Sequence, residues 1–374
     1  MTEAVIAGYV RSPFTFAGKG DLAAYRPDSL AAEVLGALLR RTGIAPSDIE
    51  DLIMGCAFPE GEQGLNLGRV VGNLAGLPES VGGMTVNRWC GSSIQAIQIA
   101  AGSIATNGGE VFVCGGVESM SRVPMMGLNC LPPPEWSAAT RSAFLNMGLT
   151  AETVAERYGI DRARQDAYAA QSQNRAAEAQ GSGRYDDEIV AIGGVSKDGC
   201  VRAGSTAEKL GTLKTVFKEN GTVSAGNTSP MTDGAAMTLV CSADYARRKG
   251  LPVLARIRSF AVSGCAPEVM GIGPVEASRK ALARAGIAAA DLDVIEMNEA
   301  FAAQVLACCD QLGIDPARIN RDGGAIAIGH PLGATGARLV GKSALLLKRD
   351  GGRWALATQC IGGGQGIAMV LESA

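Results

Sequence analysis

One order of elements occurs twice in this chain, and a duplicated order leaves few folds open. In the first stretch a glycine-rich helix start at Cys90 leads into a helix. A strand ending Cys114-Gly115-Gly116 follows, and later the run Asp233-Gly234-Ala235-Ala236-Met237-Thr238-Leu239-Val240. In the second stretch a glycine-rich start at His330 leads into a helix. A strand ending Cys360-Ile361-Gly362-Gly363 follows, and then Gln365-Gly366-Ile367-Ala368-Met369-Val370-Leu371. The residue-by-residue similarity is weak, but the order of elements agrees. This reads as a duplicated α/β unit.

Periodicity supplies the individual elements. Strands are expected at Ala4–Val10, Asp51–Met54, Met84–Val86, Glu110–Cys114 and Ala235–Cys241 in the first copy. They are expected at Val253–Ser259, Asp293–Met297, Trp354–Thr358 and Ile367–Leu371 in the second. Leu30, Val34, Leu35 and Leu38 recur at helical spacing within Ser29–Arg41. Further helices are expected at Asn66–Leu74, after Cys90, and at Pro274–Ala285, Ala300–Leu312 and Gly336–Leu347. Strands alternating with helices argue for an α/β fold with a largely parallel sheet.

Between the copies the texture changes. Residues 120–231 carry Pro132–Pro134, a helix at Ala151–Tyr158 and a charged helix at Arg162–Gln180. This reads as a polar, loop-rich insertion. The charges of the second helix are expected to form a solvated face. The division is therefore 1–119 with 232–252 as the first half, 120–231 as the insertion and 253–374 as the second half.

Composition excludes several classes. Hydrophobic residues make up 47% and charged residues 19%, enough for a large core and too apolar for a disordered chain. The net charge of −3 implies no basic face, so nucleic acid and anionic membranes are not expected partners. No charge-free apolar run reaches membrane-spanning length. The start MTEAVIAGYVRSP lacks the pattern of a signal peptide, so the expected compartment is the cytoplasm. Ten cysteines form no C-x-x-C pair, and there is one histidine, so no metal site is expected.

Few residues can carry chemistry. Cys90 sits at a strand-to-helix turn, where free N–H groups and the helix dipole favour a thiolate and lower its pKa. The same N–H groups can face an oxyanion. The alternative is a small residue chosen for tight packing. His330 lies in a glycine-rich turn, and any imidazole base in this chain must be this one. Its alternative is a structural histidine holding the turn. Cys360 precedes Ile361-Gly362-Gly363-Gly364, where the backbone can approach a ligand closely or simply turn a hairpin. Asn298, after a strand, reads as an N-cap.

At this point six segments resemble the successive signatures of the thiolases, the acetyl-CoA acyltransferases. They are NRWCGSS, GGVESMSRVPM, AGNTSPMTDGAA, MNEAFAAQ, GGAIAIGHPLGATGAR and CIGGGQG, in the family's order from end to end. The resemblance implies a five-layered αβαβα fold of two similar halves with an inserted loop domain. It implies that Cys90 is the acylated nucleophile and His330 the base that activates it. Cys360 would be the second cysteine, moving a proton to or from the α-carbon of acetyl-CoA. Asn298 would hold a water that forms one oxyanion hole with His330. The backbone N–H groups of Cys90 and Gly362 would form the other.

For coenzyme A, Ala225 and Ser229 match positions that contact the pantetheine arm. Met147 and Phe301 match pocket walls, and Arg202 aligns with a basic residue near the nucleotide end. Coenzyme A and acyl-CoA would be substrates, with no permanently bound cofactor. A homodimer, or a homotetramer built from dimers, is implied too. Where short-chain biosynthetic thiolases carry H-M-G, this chain has Asn146-Met147-Gly148, which is more like the degradative 3-ketoacyl-CoA type. Rival readings are a short-chain acetoacetyl-CoA thiolase, a decarboxylating ketosynthase, a cysteine hydrolase and a non-catalytic acyl-CoA-binding protein on the same fold.

Overall fold

The computed structural model describes residues 2–132 and 144–374. The strands are β1 (Ala4–Arg11), β2 (Thr15–Phe16), β3 (Asp51–Gly55), β4 (Gly82–Val86), β5 (Val111–Ser119), β6 (Thr232–Ser242), β7 (Ala255–Gly264), β8 (Val294–Met297), β9 (Trp354–Ile361) and β10 (Gln365–Glu372). The helices are α1 (Pro27–Thr42), α2 (Leu67–Leu74), α3 (Ser92–Ala105), α4 (Met147–Tyr158), α5 (Arg162–Gly181), α6 (Ala207–Gly211), α7 (Ala243–Lys249), α8 (Gly273–Ala285), α9 (Ala302–Leu312), α10 (Ala325–Ile328) and α11 (Leu332–Asp350). Every element expected from periodicity is present, most of them longer by a few residues at one end.

The strands run in the order β4-β3-β5-β6-β1-β7-β10-β9-β8, with β2 on β6. Within the sheet the two halves join where β1 pairs β7, through Val5 opposite Arg256 and Ile6 opposite Ala255. Each half has the same internal order, seen from that seam outwards: β1-β6-β5-β3-β4 against β7-β10-β9-β8. The position matching β4 is held by a single bridge between Ile295 and Ile319.

The sheet is mixed, not largely parallel. Only β3·β4, β3·β5 and β8·β9 are parallel. The reason is local for β9 and β10, which are joined by the Gly362–Gly364 turn and so must pair antiparallel. In the first half the whole insertion separates β5 from β6, and β6 returns antiparallel to β5.

Alternation along the strands sets the layers. On β3, Leu52 and Met54 pack with Val34, Leu35 and Leu38 of α1, while Ile53 faces the other way, into the cluster with Ile94 and Ile97 of α3 and Leu339 and Val340 of α11. On β10, Ile367, Met369 and Leu371 join that same central cluster, while Ala368 and Val370 pack with Leu282 of α8 and Val305 of α9. The result is α1 and α2, a half-sheet, α3 and α11, a second half-sheet, then α8 and α9. Helices α3 and α11 are thus buried from both sides. Gly336 permits it: a Cβ there would lie 2.5 Å from the Ile94 backbone nitrogen. Each fully buried Leu or Ile in these layers contributes roughly 1.5–3 kcal/mol.

Residues 120–231 hold α4, α5, α6 and connecting loops. Of Pro132–Pro134, only the first lies among the described residues. Helix α5 differs from expectation in part. Its inner face buries Gln165, Asp166, Tyr168, Ser172 and Gln173, each held by polar partners. Arg164 pairs Asp310 at 2.9 Å, and Arg175 donates to the Ile319 carbonyl at 2.7 Å. Asp161, Arg164 and Glu178 do lie in solvent, as the charge pattern implies, while Asp166 and the uncharged polar side chains of the opposite face form a buried polar interface.

Candidate active site

Strand β4 ends at Val86, and the chain turns sharply before α3. Trp89 takes a left-handed conformation, φ 41°, just before Cys90. Ser92 Oγ holds the turn closed, accepting from the Arg88 N–H at 2.9 Å and donating to the Trp89 carbonyl at 2.5 Å. Gln359 Nε2 donates to the Cys90 carbonyl from β9, so the nucleophile candidate is gripped by both halves. The Trp89 ring lies against Gly363, where φ is 74° and a Cβ would come within 2.5 Å of the ring. Only glycine fits there on both counts.

The Cys90 sulfur faces the backbone N–H groups of Gly362 and of Cys90 itself. Both favour the thiolate, but burial outweighs them, and the thiol is pushed up to about 11. The expected lowering by the helix start is thus overturned in the resting protein. Desolvation of the charged form is the larger effect. Cys360 on β9 is also buried, and its thiol is raised by burial first and by nearness to Cys90 second.

His330 follows Gly329, whose φ is 106°, and its own N–H donates to Thr232 Oγ1 at 2.8 Å. Ring Nδ1 lies 2.6 Å from Thr335 Oγ1, and Nε2 lies 3.2 Å from Asn298 Nδ2. Burial alone pulls the imidazole down to about 3. Burial thus favours the neutral thiol and the neutral imidazole at pH 7.

Asn298 is not the cap of α9, because Phe301 occupies that position. Its backbone N–H donates to the Thr358 carbonyl at 2.9 Å, which aims its side chain at His330. Asn298 Oδ1 is buried with no hydrogen-bond partner among the described residues.

These groups open on one mainly apolar cavity of about 400 Å³, lined by Cys90, Met147, Ser229, Phe301, His330, Cys360 and Gly362 among others. A second lobe of about 320 Å³ shares Cys90, Met125, Met126, Met147, Leu332 and Gly362, and continues between Phe58, Trp89 and Leu131. Ser229 is fixed by its N–H, which donates to the Ala300 carbonyl at 3.1 Å. Ala225 is exposed and lines neither lobe. Arg202 is also outside both, exposed, with its guanidinium over the Phe16 ring. Asn146 lines the cavity and caps α4, accepting from the Gly148 N–H at 2.8 Å. Asparagine is well suited to that cap, so the residue has a local structural role as well.

Sequence reading missed the groups that hold the site. Glu299, inside the quoted NEAF segment, is fully buried. It accepts from Tyr168 Oη at 2.6 Å, Ser172 Oγ at 2.6 Å, Asn320 Nδ2 at 2.7 Å and the Ile326 N–H at 3.0 Å. Glu118, inside GGVESMS, accepts from the Ala57 N–H at 2.8 Å and the Gly333 N–H at 2.9 Å. It thereby ties the cavity wall near Phe58 to the start of α11. An acidic residue amid small apolar ones was the available signal in both.

A half-buried cysteine and a buried histidine beside paired backbone N–H groups, on two halves of one duplicated α/β fold, define a cysteine-dependent acyl-transfer site. The thiolase N-terminal domain family model matches residues 4–244 and the thiolase C-terminal domain model residues 251–373, so the chain belongs to the thiolase family. It is 44% identical to the 3-ketoacyl-CoA thiolase of Bacillus subtilis (strain 168) over 389 residues, covering 100% of both chains. It is 45% identical to the 3-ketoacyl-CoA thiolase of Colwellia psychrerythraea over 386 residues, again covering 100% of both. Among solved structures it resembles human mitochondrial 3-ketoacyl-CoA thiolase in complex with CoA. There the TM-score is 0.92 at 36% identity, covering 100% of this chain and 98% of that one.

Proposed function

We propose that this thiolase cleaves 3-ketoacyl-CoA with coenzyme A, giving acetyl-CoA and an acyl-CoA shortened by one acetyl unit. The observation that carries the reading is the convergence of Cys90, His330, Cys360 and the Gly362 N–H on one cavity. The Cys90 proton passes to His330, and the thiolate attacks the 3-keto carbon. The Cys90 and Gly362 N–H groups are available donors for the oxyanion. The C2–C3 bond breaks, its electron pair forms the acetyl-CoA enolate, and the Cys360 thiol protonates that carbon. The imidazolium proton then restores Cys360. His330 next takes the proton of the incoming CoA thiol, CoA attacks acyl-Cys90, and the departing Cys90 thiolate recovers the proton from His330. Run backwards, the same steps make a carbon–carbon bond. Asn298 Oδ1, buried with no hydrogen-bond partner among the described residues, is an acceptor for the water that would complete the enolate's oxyanion hole with His330.

In this reading Met147, Ser229 and Phe301 line the path of the pantetheine arm. Ala225 and Arg202 are assigned to the outer part of coenzyme A on the family resemblance. The lobe between Phe58, Trp89 and Leu131 takes the acyl chain, which favours the degradative type. Thiolysis assays across 3-ketoacyl-CoA substrates of four to sixteen carbons, read by loss of the enolate absorbance, test this. Activity reaching the long chains is expected. Activity confined to acetoacetyl-CoA would give the short-chain reading instead, and none at all would leave an acyl-CoA-binding protein.

Residues 120–231 are taken as the loop domain that carries Met147 and Ser229 to the cavity between the two halves. The protein acts in the cytoplasm on this reading, in keeping with its bacterial relatives. Among the described residues no helix is long and apolar enough to cross a membrane. We also propose an assembly of two or four copies, since β4 ends the sheet with one edge unpaired. Sedimentation at micromolar concentration checks it, and a clean monomer of 38.3 kDa would contradict it.

A further inference from the structure

His330 is the only histidine in the chain, and its two ring nitrogens have different partners. Nδ1 lies 2.6 Å from Thr335 Oγ1, and Nε2 lies 3.2 Å from Asn298 Nδ2. Thr335 is 1% exposed and sits in the first turn of α11. Its Oγ1 also lies 2.8 Å from the carbonyl of Pro331, four residues back. A threonine hydroxyl has one hydrogen, and a carbonyl has none. The hydrogen between Oγ1 and the Pro331 oxygen is therefore the threonine's own. Oγ1 then offers only lone pairs to the ring, so the short contact is an Nδ1–H donating to Oγ1. A neutral imidazole carries one N–H, which leaves Nε2 unprotonated and able to accept from Asn298 Nδ2. The reverse tautomer would leave the Pro331 contact without a hydrogen. It would also turn an Nε2–H against the Asn298 N–H.

We propose that Thr335 is a positioning residue that holds His330 in the Nδ1–H tautomer and so keeps Nε2 unprotonated, an acceptor for Asn298 Nδ2 at rest and for the Cys90 proton once that contact yields. The destination of that proton rests on the thiolase reading, whereas the tautomer rests on the hydrogen-bond count alone. A buried hydroxyl with its own hydrogen committed elsewhere acts here as the carboxylate does behind the histidine of a serine-protease triad. It does so without adding a charge to the cavity.

The chain's single histidine makes the test direct. Nitrogen-15 spectra of the intact protein labelled at histidine are expected to show a protonated Nδ1 and an unprotonated Nε2. A protonated Nε2 in the wild-type protein overturns the proposal, whatever any variant does. Thr335→Val keeps the side-chain shape and removes the hydroxyl. It is expected to mix or reverse the tautomer and lower kcat by about 10²-fold, the lower end of what a positioned general base contributes, with KM nearly unchanged. Thr335→Ser is expected to restore both the wild-type spectrum and most of the turnover. A valine variant with wild-type tautomer and turnover overturns the proposal. If that variant does not fold, the wild-type spectrum still decides. The expected tautomer in a protein with no thiolysis would support the hydrogen-bond count and overturn the catalytic half.

Discussion

Cys90→Ser lowers thiolysis by about 10⁴-fold or more while leaving the fold intact. The size follows from what the sulfur does and what the rest of the residue does. The turn at Trp89, the Ser92 hydroxyl contacts and the Gln359 contact all grip backbone atoms around position 90, so none depends on the thiol. A hydroxyl fits the same space. It does not reach the anionic form in a buried site beside a neutral histidine, and it leaves poorly when CoA attacks. Circular dichroism and melting temperature should match the wild type, with 3-ketoacyl-CoA turnover at background. A serine variant retaining a tenth of wild-type turnover would move the acyl group off residue 90.

Glu299→Ala is expected to cost about 3–5 kcal/mol of folding stability. The carboxyl accepts from Tyr168, Ser172, Asn320 and the Ile326 N–H, all of them buried. Each buried donor left unpaired costs roughly 1–3 kcal/mol, and relaxation recovers part of the sum. The donors come from α5, from the turn at Asn320 and from α10, just ahead of His330. Loss of the carboxyl therefore frees the insertion from the second half and loosens the approach to the base. Urea unfolding of wild type, Glu299→Ala and Glu299→Gln measures it, with the glutamine variant in between. A loss below about 1 kcal/mol in the alanine variant would mean that water or new partners satisfy the donors.

Much of this was legible in the chain. The duplicated order of elements and the helical and alternating periods gave the two halves, because burial on one face is what periodicity encodes. Cys90 and His330 were legible because each stood at a glycine-rich helix start and the histidine had no competitor. Strand direction was less so. Nothing local in β6 says which way it will pair, since its return path depends on the insertion, whereas for β10 the three-glycine turn after β9 was the available signal. On α5 the solvated charges were legible, but the polar face buried opposite them was not, because glutamine, serine and tyrosine look alike on a buried and an exposed face and only the partners distinguish them. Glu118, Glu299, Thr335 and Gln359 were passed over for a related reason. Glu118, Glu299 and Gln359 work through hydrogen bonds to groups far along the chain, and Thr335 through a turn whose geometry its own sequence does not announce. The thiolate-favouring turn at Cys90 was visible, but the desolvation that outweighs it comes from the whole surrounding cavity.

The central claim is that Cys90 carries the acyl group between two substrates. The most direct measurement is mass spectrometry of the protein mixed with a 3-ketoacyl-CoA in the absence of free CoA, quenched in acid and digested with trypsin. Cleavage after Arg88 and Arg122 isolates Trp89–Arg122, which also contains Cys114, and fragmentation tells the two cysteines apart. The account predicts an added acyl mass on Cys90 that disappears when CoA is supplied. An unmodified Cys90 during turnover, or the acyl mass on Cys360, would contradict it.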